Sequence, residues 1–156
     1  MSLTYNKIIQ LSKEFSQAHY FLKSFGNGSN WDTALKAEQA SLKYPRMWME
    51  DNPSPFEQSI ETFSFRIGFL SQVEQVENEN GDRISVNRNE VISDMRQIAK
   101  DFLSFWVQDH DNEIRIDRNI NITVVEDVTP DKLAGVYADY TFKQPFTYNA
   151  CIIPKT

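Results

Sequence analysis

Asn87 to Asp109 reads NRNEVISDMRQIAKDFLSFWVQD and constrains the fold more than any other stretch. Val91, Ile92, Met95, Ile98, Ala99, Phe102, Leu103 and Trp106 recur at helical spacing, while Arg88, Asp94, Arg96, Lys100, Asp101 and Gln108 fall mostly on the other side. That rhythm predicts an amphipathic helix. Asn87 stands where a cap belongs, and Glu90 three residues on completes a capping-box spacing. No glycine or proline interrupts the run. A helix this apolar on one side needs a large partner surface, and its flanks read as strands. Helix on sheet is therefore the expected core.

Thr4 to Ala18 predicts a first helix, capped by Thr4, with Tyr5, Ile8, Ile9, Leu11 and Phe15 on its apolar side. His19 to Phe25 reads as a first strand, stopped by the glycines of Gly26-Asn27-Gly28-Ser29-Asn30. Thr33 to Ser41 is a polar connection with at most a helical turn. Leu42 to Glu50 is a second strand, placed at an edge or bulge by Pro45, which has no amide hydrogen to give. Asn52-Pro53-Ser54-Pro55 is a break.

Glu61 to Leu70 is the clearest strand. Phe63, Phe65, Ile67 and Phe69 share one face, and Thr62, Ser64, Arg66 and Gly68 share the other. The first face belongs under the long helix, which leaves the second for solvent or a neighbour. Residues 72 to 86 form a long acidic excursion, read as a protruding loop or a hairpin about Asn80-Gly81. Glu113 to Glu126 alternates, with Ile114, Ile116, Ile120, Ile122 and Val124 together and Asn119 and Asn121 opposite. After a turn at Thr129-Pro130-Asp131-Lys132, Val136, Ala138, Tyr140 and Phe142 mark a last core strand ending at Pro145. The apolar tail, Phe146 to Pro154, is expected to dock. The class predicted is α+β: a mostly antiparallel sheet with one long amphipathic helix and an N-terminal helix packed on one face. Residues 1–156 are expected to form a single domain.

The net charge of −6 argues against charge-driven nucleic-acid binding, which needs clustered Lys and Arg. Cys151 is the single cysteine and cannot form an internal disulfide, which fits a reducing compartment or simple indifference to redox, and a buried, inert thiol. The first twenty residues lack the apolar core of a signal peptide, and no apolar run reaches membrane-spanning length. His19 and His110 have no Cys or His at metal-ligand spacing and read as structural. Gly26 and Gly28 lack the third glycine and following helix of a nucleotide loop. Asp109 with Asp111, and Glu126 with Asp127, sit at element ends, where solvated charge is the ordinary explanation. No catalytic residue, cofactor or metal is expected. Aromatics in connections are the unusual feature. With the acidic excursion they nominate Trp31, Tyr44, Trp48, Glu74, Glu77, Glu79, Phe146 and Tyr148 as candidate subunit-interface residues.

F-G-N-G-x-x-W-D (Phe25 to Asp32), Y-P-R-M-W-M-E-D (Tyr44 to Asp51), N-E-V-I-S-D-M-R-Q-I-A-K-D-F (Asn89 to Phe102) and the closing A-G-V-Y-A-D-Y-T-F-K-Q-P-F-T-Y-N-A-C-I-I-P stand in that order. Together they resemble tail-terminator, tail-completion and neck proteins of tailed bacteriophages, including the crAss-like phages, over about residues 4 to 154. The resemblance implies a tail-terminator-like fold and a structural virion protein without enzymatic activity. It implies a homo-oligomeric ring, a hexamer or dodecamer, at the head-tail junction or tail end. Its partners would be further copies of itself and portal, adaptor or tail-tube proteins. DNA would pass through the lumen without specific binding, and no membrane would be involved. The protein would sit in the host cytoplasm before assembly and in the virion after it. The competing reading is a small acidic binding protein, such as an immunity or anti-defence inhibitor, whose charge suits a basic partner surface.

Overall fold

The computed structural model describes residues 4–28, 43–110, 115–126 and 132–146. Among these residues the fold is α+β, a mostly antiparallel sheet with two helices packed against it. The helices are α1 (Tyr5–Ala18) and α2 (Arg88–His110). The strands are β1 (Ser24–Gly28), β2 (Arg46–Asp51), β3 (Phe56–Glu57), β4 (Ile60–Gln72), β5 (Gln75–Glu77), β6 (Arg83–Ser85), β7 (Arg115–Ile116), β8 (Ile122–Glu126) and β9 (Leu133–Pro145). The main sheet runs β1-β2-β4-β9-β7, with β3 paired to β4 and β8 to β9. β1 and β2 are parallel, and the other pairs are antiparallel. β5 and β6 form a separate two-stranded hairpin.

Period-two alternation decides which face each strand buries. Met47 and Met49, Phe65, Ile67 and Phe69, and Val136, Ala138, Tyr140 and Phe142 are all buried. The helices supply Ile8, Leu11 and Phe15 from α1 and Val91, Met95, Ile98, Ala99, Phe102 and Trp106 from α2. Phe102 is the hub. Its ring lies 4.8 Å from Tyr140, 5.3 Å from Phe15, 6.2 Å from Trp106 and 6.3 Å from Phe69. The buried Tyr140 hydroxyl donates to the Ala99 carbonyl at 2.7 Å, which satisfies it inside the core. Burial pushes Tyr140 ionisation far above the ordinary tyrosine range.

Thr4 caps α1 as expected, its side chain accepting the Lys7 amide hydrogen at 3.1 Å. Asn87 behaves differently from a simple cap. Its side-chain oxygen accepts the Glu74 amide hydrogen at 2.7 Å, which ties the start of α2 to the base of the hairpin.

Three strand expectations need correction. The first strand begins only at Ser24 and includes Gly26, Asn27 and Gly28. These glycines do not stop it. A Cβ on Gly26 would lie 2.4 Å from the Trp48 ring, so their bareness makes room for an indole across the strand. Second, Pro45 stands just before β2, and β2 is interior, between β1 and β4. The proline therefore removes no ladder hydrogen bond; its carbonyl accepts from the Lys23 amide at 2.9 Å. Third, the alternating run at 113–126 is a broken strand. Residues 117–121, five in all, face only 139–141 of β9 between the β7 and β8 registers. The two extra residues form a bulge that preserves side-chain parity. Ile116 is buried, yet Val124 is 44% exposed at the margin of the sheet. The pairing of β3 with β4 was not expected; it turns through Gln58 and Ser59, with Ser59 at φ 62. Ile114, residues 33–41 and the tail from Thr147 lie outside the described residues.

Removing the Phe102 ring opens a cavity among four aromatic neighbours. Phe102→Ala should cost about 3–5 kcal/mol, read as a lower urea midpoint. Two glycines of the central strands should respond in opposite ways. A Cβ on Gly135 would lie 2.0 Å from the Phe69 carbonyl oxygen, whereas one on Gly68 meets nothing within 4 Å. Thermal melts should show Gly135→Ala destabilised by roughly 1–3 kcal/mol and Gly68→Ala unchanged or raised by up to about 1 kcal/mol.

Candidate interaction surfaces

The face of the sheet away from the helices is polar at its centre. Glu50, Arg66 and Asp139 are opposite one another on β2, β4 and β9 and alternate in charge. Arg66 Nε donates to Asp139 Oδ1 at 3.1 Å, and the same oxygen accepts from Asn52 Nδ2 at 3.0 Å. The guanidinium also lies 4.6 Å from the centre of the Tyr137 ring. Its hydrogen bond to Asp139 raises the Arg66 pKa further. Both partners are about two-fifths exposed, so solvent screens the pair and its worth is in orientation.

One end of this face is covered. Trp48 is 7% exposed and Arg46 is 6% exposed, with the guanidinium 5.5 Å from the indole centre. Leu70 and Leu133 form a small second core with Tyr44 and Val125 against them. Trp48 and Tyr44 were interface candidates, and their apolar area is largely spent inside the chain. Phe146 remains 38% exposed and meets the 56% exposed Phe56 edge-on at 5.2 Å. The amide of Phe146 donates to the Ser59 carbonyl at 2.9 Å, which fixes this aromatic pair beside the β3–β4 turn. Trp31 and Tyr148 lie outside the described residues.

Glu74, Glu77 and Glu79 are exposed on the excursion, which is a hairpin and not an irregular loop. Asn78 organises its turn: its side chain accepts from the amides of Asn80 and Asp82, and Gly81 takes φ 81. Val76 opposes Ile84, and Val86 donates to the Glu74 carbonyl one pair further on. Alternation therefore puts Val76, Ile84 and Val86 on one side. They are 44%, 46% and 54% exposed.

Among the described residues, the end of α1 carries the most exposed aromatics, which the sequence reading missed because it assigned these residues to a strand. Tyr20 is 84% exposed and Phe21 is 56% exposed, with their rings 5.2 Å apart. His19 anchors the segment from behind. Its Nε2 meets Asp101 Oδ2 on α2 at 3.0 Å, and its Nδ1 accepts the Phe21 amide hydrogen at 3.3 Å. Beside the aromatics is an open cleft of about 440 Å³, with Lys13, Gln17, Lys23 and Phe25 around it and the buried Leu22 in its floor. Lys23 Nζ donates to the Tyr20 carbonyl at 3.5 Å.

Among the described residues, no group of three or more His, Cys, Asp or Glu side chains is placed to hold a metal ion. No helix among them is long and apolar enough to cross a membrane. Asp111, Asp127 and Cys151 lie outside the described residues. No protein-family model matches the chain, and no curated protein matches it either.

At the other end of α1, Tyr5 donates to Asp51 Oδ1 at 2.5 Å. Desolvation, then this hydrogen bond to a carboxylate, push the Tyr5 pKa from 10.0 up to about 12. A raised tyrosine pKa favours the folded state below pH 10, and that contribution is lost as pH rises towards 12. Tyr5→Phe should flatten the fall of stability across that window, measured by urea unfolding at stepped pH.

Proposed function

We propose that this chain is a structural subunit of a tailed-bacteriophage virion, without catalytic activity, that closes into a ring at the head-tail junction or tail end. In that place it joins a portal or adaptor to the next tail component. It waits in the host cytoplasm before assembly. The observation that carries the reading is the β5–β6 hairpin, whose Val76, Ile84 and Val86 are about half exposed on one side. A two-stranded hairpin is marginal on its own in water and gains stability from an apolar surface laid against it. The order of the four sequence stretches set out above supports the same reading.

The exposed surfaces differ from one another. The hairpin is acidic and aliphatic, the end of α1 is aromatic and lysine-lined, and the β3–β4 turn carries a phenylalanine pair. Unlike patches suit heterologous contacts, which generate rings when the rotation closes. A net charge of −6 also suits a lumen through which DNA passes without sticking.

Light scattering on the eluting full chain, with negative-stain images of the same fractions, tests the proposal. Closed rings of six or twelve copies are the expected result. A chain that stays monomeric at every concentration and never enters particles sinks it. A tight one-to-one complex with a basic host or toxin protein would transfer the assignment to an acidic inhibitor.

A further inference from the structure

We propose that the lysine-lined cleft at the end of α1 receives the β5–β6 hairpin of a second copy of this chain. The inference rests on the self-assembly reading above and assigns its contact. Two independent surfaces carry it. One is a concave site with Lys13 and Lys23 at its rim, Leu22 in its floor, and the exposed rings of Tyr20 and Phe21 beside it. Among the described residues, no carboxylate lines that cleft. The other is a projecting element with Val76, Ile84 and Val86 on one side and exposed Glu74, Glu77, Glu79 and Asp82 along it.

Their chemistry is complementary in both respects that matter. Acids on the hairpin oppose lysines on the cleft, which sets orientation and discourages like surfaces from pairing. β-Branched side chains on the hairpin oppose two aromatic rings, the residue type that most often anchors an interface. Tyr20 and Phe21 are held for this purpose by His19, whose ring is pinned to Asp101 of α2 and takes the Phe21 amide hydrogen. The occupant proposed is a second copy, because this chain itself supplies the acidic, apolar arm.

A charge swap on the full chain tests the contact. Lys13→Glu with Lys23→Glu makes the cleft acidic, and Glu74→Lys with Asp82→Lys makes the apolar side of the hairpin basic. These side chains are exposed, so both variants should keep the wild-type far-ultraviolet spectrum and melting temperature. Each alone should need at least about tenfold more protein for half-assembly by sedimentation velocity. An equimolar mixture should recover wild-type assembly, because every cleft then finds an oppositely charged arm. Phe21→Ala should weaken assembly without rescue by either swap. If the wild type assembles and both swaps assemble equally well, the contact is wrong, the ring reading stands, and the cleft belongs to a foreign acidic partner. If the wild type never assembles, the contact and the ring reading fall together.

Discussion

The contact between Phe102 and Tyr140 is the joint on which this molecule depends. One residue is in the middle of α2 and the other in the middle of β9, and their rings meet edge-on at 4.8 Å. The Tyr140 hydroxyl then reaches the carbonyl of Ala99, one turn earlier on the same helix. A packing contact and a directional hydrogen bond thus fix the long helix on the sheet in position and in rotation. Buried aromatic pairs supply large apolar area with a preferred geometry, and a buried hydroxyl is costly unless its partner is in place. Phe15 brings α1 onto the same hub, while Trp106 extends it to Phe142 at 4.7 Å and through that ring to Phe65.

Everything outward follows from how completely this face is used. Among the described residues, the helices cover one side of the sheet, which leaves the opposite side, the margins, the outer faces of the helices and the projections to meet other molecules. The opposite side is partly closed by Trp48 and Arg46 and by the Leu70–Leu133 pair. Its centre is a row of alternating charge held by Arg66 and Asp139. Such a row is satisfied within the chain and hydrated, a poor source of association energy. Among the described residues, much of the exposed apolar area is in the hairpin, the aromatic pair after α1, and Phe56 with Phe146.

Much of the fold was legible because the signals were local. The helical period of residues 87–109 and the alternation of 61–70 and 136–142 named the buried residues almost one for one. Thr4 capped the first helix from its own sequence position. The site was less legible. Tyr20 and Phe21 looked like strand residues because aromatics favour strands, yet they lie between α1 and β1, where His19 is tied to Asp101 and takes the Phe21 amide hydrogen. Trp48 looked like an interface anchor because it follows a connection, yet it packs over Gly26. The hairpin acids fell where the sequence placed them, since Asn78 and Gly81 write that turn locally.

By itself the sequence determined which side of each long element is apolar, because residue spacing and backbone period suffice for that. It also determined the acidic hairpin, whose turn residues are neighbours in the chain. Tertiary structure alone decided that β1 runs parallel to β2, and that Gly26 and Gly28 belong inside a strand. It alone decided that the indole of Trp48 is spent within the chain while the rings of Tyr20 and Phe21 are left outside. These outcomes turn on contacts such as Gly26 with Trp48 and His19 with Asp101, far apart in sequence, and no local pattern encodes which distant residue will arrive.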